Sequence, residues 1–598
     1  MDVVDIYELS PTQQGMLFHT VYAPETGMYF EQRHCLLQGE LDRKAFKQAW
    51  QQVVNRHSVL RTEFHWQDTD KPLQVVYDTV EMPWLEADWQ DFTAVQQAEK
   101  LETFLTRERV KGFQLDQAPL MRCALFTLGE RQHRFVWSYH HLLMDGWCNG
   151  VLIKEVLTLY QGQVSPSQLP TPKPYRTYIE WLQQQDQNQA QAYWQQTLQG
   201  VSAPTPLGIS RQHQHSHSIQ DEAAHGEQQA WLSAAISTDL QTFAQQARLT
   251  LNTLFQGAWA VLLSRYSGHT DVVFGITVAG RPPQMSGVES MVGLFINTVP
   301  LRSHLPNDTI LLPWLQQLQK DQRDRETYGY SALTDLQTWS DVPRGTPLFE
   351  SLLVFENYPV SIETATQGMT RLSLQNGQGY ERTNYPLTLV VIPGDTIQLS
   401  LRYDSSYISK ATAQRLLGHL EVILGSFVVN PQQTLEGVPL LKAREQQQLN
   451  QFAQGQTMDI SPHCIHHQFE NQASQTPKAT AITFISDHTN DTAVEGTTTK
   501  SLSYRQLNKR ANQLAHYLIR QGIDQDSRVG ICLHRSLEMV IGLLGILKTG
   551  ATYVPLDPDY PFERLSYIVA DAQIDLLLTS NETALELKKT VLSLDLNT

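Results

Sequence analysis

From Asp42 the stretch DRKAFKQAWQQVVNRH places Phe46, Ala49, Trp50, Val53 and Val54 three and four residues apart. That spacing lays one apolar stripe along a helix, and Asp42 supplies an oxygen for the first free N–H groups. SVLRTEF, Ser58 to Phe64, reads as a strand. RFVWSYHH, Arg134 to His141, is an apolar and aromatic run of strand length, and GVLIKEVLTLYQG is a helix that Gly162 stops. A polar stretch follows, QQQDQNQAQAYWQQ, then GVSAPTPLG and the histidine-rich RQHQHSHSIQ. This region reads as a surface crossover between two lobes. Beyond it TDLQTFAQQARLTLNTLFQGAWAVLLSRYSG holds one or two helices, and DVVFGITVAGR, MVGLFINTVPLR and LFESLLVFENYP read as strands. Helices and strands alternate irregularly, which predicts a mixed α/β (α+β) fold.

Near residue 440 the pattern changes. KAREQQQLNQFAQGQTMDISPH is polar and glutamine-rich, as a linker is. The helix YRQLNKRANQLAHYLIRQG, the strand RVGICL, the helix SLEMVIGLLGILKTG and the strand ATYVPL follow, the opening of a parallel α/β domain. The predicted division is 1–180 and 181–440 for the two lobes, 441–463 for the linker and 464–598 for the last domain.

A chain of 598 residues exceeds one core. Its net charge of -16, with no run of Lys or Arg, argues against nucleic-acid binding. The longest apolar window, Met539 to Leu547, is too short for a membrane span. The five cysteines are scattered and form no CxxC pair, and the acidic MDVVDIYELS is no secretory leader. These features predict a cytoplasmic protein with no membrane partner.

The chemistry concentrates in WSYHHLLMDGWCNG, Trp137 to Gly150. Neighbouring side chains on a strand point to opposite faces, so His140 and His141 cannot both enter one cavity. No third ligand is evident, and no metal is assigned. A histidine at a strand end can handle a proton near neutrality, and the carboxylate of Asp145 in the next turn can hold an arginine. Gly146 lets the backbone approach another group closely. Cys148 reads as a small buried residue, and His213, His215 and His217 as surface histidines.

HHLLMDG resembles the HHxxxDG signature of condensation domains of nonribosomal peptide synthetases. LSPTQQGMLFHTVYAPETGMYFEQ is similar to that family's first motif, RHSVLRTEF to its second, YRTYIEWL to its fourth and VGLFINTVPLR to its fifth. RGTPLFE and TNYPLTL resemble the sixth and seventh, and all stand in the family's order over residues 1 to about 440. CIHHQFENQASQTPKATAITF, LSYRQLNKRANQLA and LKTGATYVPLDPDYP resemble the opening of an adenylation domain.

The resemblance implies two chloramphenicol acetyltransferase-like lobes in a V, with the site between them. Two carrier proteins would bring substrates on phosphopantetheine arms, and the acceptor's amine would attack the donor's thioester. The family role of His141 is to position or deprotonate that amine, with His140 packed behind it. Asp145 pairs with an arginine, for which Arg56, Arg61 and Arg281 all stand as candidates. Gly146 and Trp147 complete the turn, where a backbone N–H could face an oxyanion, and Trp147, Asn297 and Thr298 are candidates for the substrate channel. Both histidines are present, unlike in heterocyclization domains, and the first motif is most like that of domains taking an L-configured donor. The motif lies close to Met1, so the donor carrier is expected on another chain and the acceptor carrier downstream. The phosphate-binding loop of the adenylation family is not in the sequence; adenylation, with its ATP and Mg, is expected only of a complete domain. The alternatives are an acyltransferase using a free small-molecule acceptor and an inactive carrier-docking domain.

Overall fold

The computed structural model describes residues 2–24, 27–162, 164–209, 225–357, 372–456, 463–486, 498–580 and 592–595. His213, His215 and His217 lie outside them. The chain forms two units, Met1–Phe452 and Ala453–Thr598.

In the first unit β1 (Val3–Glu8) precedes α1 (Pro11–Tyr22), and β2 (Phe30–Gly39) precedes α2 (Arg43–Arg56). The stripe predicted for α2 is the buried face, and Asp42 accepts the Ala45 N–H at 3.0 Å. The strand expected at Ser58 begins later. Ser58–Arg61 is a 3-10 turn, and β3 (Thr62–His65) follows with β4 (Leu73–Tyr77), β5 (Trp84–Asp88), α3 (Ala94–Lys111), β6 (Met121–Gly129), β7 (Gln132–His140) and α4 (Gly146–Tyr160). The helix Arg176–Gln183 is the YRTYIEWL segment, and the glutamine-rich part of the expected surface crossover is itself a helix, Gln187–Leu198, that buries Ala190, Trp194 and Leu198 completely.

The second lobe carries β8 (His225–Trp231), β9 (Asp271–Val278), β10 (Asn297–His304), β11 (Ser351–Phe355), β12 (Leu372–Tyr380), β13 (Leu387–Ile392) and β14 (Gln398–Asp404). Six of these form one sheet in the order β10-β9-β11-β13-β14-β8. β12 leaves that lobe and joins the edge of the first, in the order β12-β2-β7-β6-β5, with Tyr380 opposite Gln32. Residues 291–296, expected as strand, run as a segment whose Met291, Val292, Leu294 and Phe295 fill the first lobe's core. The lobes therefore exchange segments, and a single cut at residue 180 does not separate them.

The expected linker contains a helix, Ala443–Ala453, with no buried residue. In the second unit β15 (Thr480–Ser486) and β16 (Thr498–Ser503) form a hairpin. The helices Tyr504–Arg520 and Leu537–Thr549 share a core with the parallel sheet made by β17 (Arg528–Cys532), β18 (Thr552–Pro555), β19 (Leu576–Thr579) and β20 (Leu592–Asp595), in the order β18-β17-β19-β20. The four elements predicted from Tyr504 to Pro555 are all present. Among the described residues no helix is long and apolar enough to cross a membrane.

Candidate active site

Strand pairing separates the two histidines. His140 ends β7 opposite Phe30 and is 3% exposed. Its Nδ1 accepts the Leu142 N–H at 3.2 Å, and its Nε2 lies 3.4 Å from the Thr20 hydroxyl. His141 leaves the strand with its N–H on the Tyr29 carbonyl at 2.8 Å and turns its ring into a cavity of about 160 Å³. Its Nδ1 is buried without a hydrogen-bond partner. The turn is held from α1. Ser10 and Gln13 form a capping box at that helix start, and the Gln13 amide donates to the Leu142 carbonyl at 2.9 Å.

Burial, with His141 as neighbour, lowers the His140 pKa from 6.5 to about 3. Between these values the unfolded chain binds a proton that the folded chain does not. Stability from this residue is therefore complete at neutral pH and lost as pH falls through that window. His140→Gln is expected to remove about one proton, ~1.4 kcal/mol per pH unit, from the acid slope of stability. Urea midpoints measured across mildly acidic pH read this directly, and an unchanged slope contradicts it.

Asp145 is fully buried. Its Oδ1 accepts from Arg281 Nη2 at 3.2 Å and from the Cys148 thiol at 3.3 Å, and its Oδ2 accepts the Phe295 N–H at 2.9 Å. Arg281 also donates to the Val288 and Met291 carbonyls at 2.6 and 2.9 Å and stacks on Phe295 at 4.0 Å. Of the three arginines the sequence left open, Arg281 is the one on Asp145. Arg56 instead meets Glu155 and the Pro166 and Pro170 carbonyls, and Arg61 holds the Tyr77 and Asp78 carbonyls. Gly280 sets the approach: its φ is +60°, and a Cβ there would stand 1.8 Å from the Phe295 oxygen. Cys148 is buried, and burial followed by the Asp145 charge pushes its thiol well up.

Gly146 opens α4 and lines the His141 cavity. Asn297 and Thr298 line it too. Asn297 is already occupied: its amide donates to the Gly329 and Ser331 carbonyls at 2.8 and 2.7 Å, and its oxygen accepts from Thr12 at 3.0 Å. Trp147 lines a second cavity with Asp145 and Arg281, of about 500 Å³. The two cavities share Thr277, Ile296 and Val354.

Sequence reasoning missed the charged wall beside His141. Glu31 and Arg33 on β2, Glu356 after β11 and Glu381 after β12 all line the cavity. Arg402 on β14 bonds Glu381 at 2.9 Å, and Arg33 stands 3.9 Å from Glu31. Ring and carboxylate atoms of Glu31, His141 and Glu381 lie within 4.8 Å of one another. The sequence found no third partner for the histidines because these two glutamates come from distant segments; Arg33, Arg382 and Arg402 bring the positive charge. One trace was legible: Glu31 and Arg33 alternate on one face of a strand, where charge is unusual.

The Condensation domain model matches residues 3–450. The chain belongs to the condensation-domain family of nonribosomal peptide synthetases. An AMP-binding enzyme model matches residues 469–597 of this condensation-domain protein. It is similar to the linear gramicidin synthase of Brevibacillus parabrevis, being 40% identical over 586 residues to one polypeptide of that synthase, covering 97% of this chain and 7% of that one. It is 36% identical over 571 residues to the chondramide synthase cmdD of Chondromyces crocatus, covering 92% of this chain and 14% of that one. The chain thus spans about a tenth of these relatives. Among solved structures, the nonribosomal peptide synthetase FmoA3 in its AMPPNP-bound form aligns at TM-score 0.73 and 19% identity, over 100% of this chain and 60% of that one. The condensation domain of the Monacolin K polyketide synthase MokA aligns at TM-score 0.61 and 18% identity, over 73% of this chain and 100% of that one. These likenesses show the same mixed α/β fold.

Proposed function

We propose that the first unit joins two carrier-bound acyl units, by attack of an acceptor's amine on a donor's thioester. The observation that carries this reading is His141, which lines the cavity that shares a wall with the Trp147 cavity and whose buried Nδ1 has no hydrogen-bond partner. Two abutting cavities suit two substrates that meet at one group. His141 holds the attacking nitrogen, and the backbone at Gly146, the first helical residue of α4, offers N–H to the developing oxyanion. Asp145 and Arg281 act as the structural clamp, and His140 as the packed support. The phosphopantetheine arms of the two carriers are the groups that reach in, the donor arriving on a separate upstream carrier as an L-configured thioester. Five free thiols suit a reducing, cytoplasmic setting.

The competing reading is an acyltransferase with a free acceptor. Presenting the same amine on a carrier or as the free amino acid separates the two. Carrier presentation is expected to be faster by roughly tenfold or more at equal concentration, because docking makes the attack effectively intramolecular. Equal rates would favour the free acceptor.

A further inference from the structure

The cavity wall beside His141 carries three carboxyl groups, Glu31, Glu356 and Glu381, with the guanidiniums of Arg33 and Arg382 on the same cavity and that of Arg402 against Glu381. Arg402 is committed to Glu381 at 2.9 Å, and Glu31 Oε1 has no hydrogen-bond partner although Glu31 is 2% exposed. The His141 Nδ1, also partnerless, belongs to a ring 8% exposed on the same cavity. A buried carboxyl with a free oxygen needs either a cation or a proton.

Resting on the condensation reading above, we propose that Glu31 is the proton acceptor for the attacking amine. A primary ammonium entering the cavity pairs with Glu31 Oε1 and leaves one proton on that carboxyl. The neutral nitrogen, held by His141, bonds to the thioester carbonyl carbon as the C–S bond breaks. The nitrogen's second proton goes to the departing thiolate sulfur, and the Glu31 proton later returns to water. Charge and protons balance with no further reactant. The surroundings suit the role. Burial, followed by Glu381, raises the Glu31 pKa well above its ordinary value, with Arg33 and Arg402 opposing and Glu356 adding to the rise. Burial also raises Glu381, but Arg402, His141 and Arg33 outweigh it and hold that carboxyl at about 2. One carboxyl thus stays anionic while its neighbour takes a proton readily. Tyr139 stands opposite Glu31 across the β2–β7 pair, His141 lies beside it, and Arg382 lines the same cavity.

The test compares Glu31→Gln with the unaltered chain from neutral to alkaline pH, using two acceptor carriers. One bears glycine, an ammonium at neutral pH; the other bears trifluoroalanine, whose amine is already uncharged there. With glycine at neutral pH the variant is expected to be slower by roughly tenfold or more. That loss should shrink to about threefold or less at alkaline pH, and with trifluoroalanine at every pH. The same loss at all pH values with both acceptors would overturn the proposal and make Glu31 structural. If Glu31→Gln does not fold, Glu31→Asp serves the same comparison, with a displaced pH profile expected and an unshifted one contrary. An unaltered chain that makes no dipeptide with either acceptor would instead refute the condensation reading itself.

Discussion

His141→Ala is expected to slow dipeptide formation by roughly a hundredfold or more while the protein stays folded. The ring's Nδ1 has no partner in the protein and its cavity is already open, so its removal breaks no internal hydrogen bond there. His140→Ala should behave differently. It takes away the acceptor of the Leu142 N–H in a site 3% exposed, so the loss falls on the turn that carries His141 and on stability. Rates beside urea midpoints for the two variants check this. A His141→Ala variant at full rate would make the residue structural.

The largest effect on stability is expected at the clamp. Asp145→Ala leaves Arg281 buried with no counter-charge and takes an acceptor from the Phe295 N–H. Breaking a buried pair from one side costs about 3–5 kcal/mol. Because residues 291–296 fill the first lobe's core, the loss should also loosen the wall that Ile296 and Asn297 give the cavity. Arg281→Met should cost a comparable amount. The double variant Asp145→Leu with Arg281→Met should recover part of it, since no lone charge remains. Additive losses in the double variant would show that the pair does not act as a unit.

Much of this was legible because local rules and the fold agree. The stripe of α2, the opposed faces of His140 and His141 and the parallel sheet after Tyr504 all follow from periodicity. The helix Gln187–Leu198 was not, because glutamine dominates it and only Ala190, Trp194 and Leu198 mark the buried face. The partner of Asp145 stands 136 residues away and the wall beside His141 joins segments up to 350 residues apart, so neither spacing nor composition could place them. The return of β12 to the first sheet hides in the same way, since each strand's own pattern is satisfied on either sheet.

The most direct measurement is the intact mass of both carriers followed through a single reaction with the unaltered chain. The donor carrier is expected to lose its aminoacyl mass and the acceptor carrier to gain it, one for one, as a dipeptide. Loss from the donor with no gain on the acceptor, or no transfer across several donor–acceptor pairs, would contradict it.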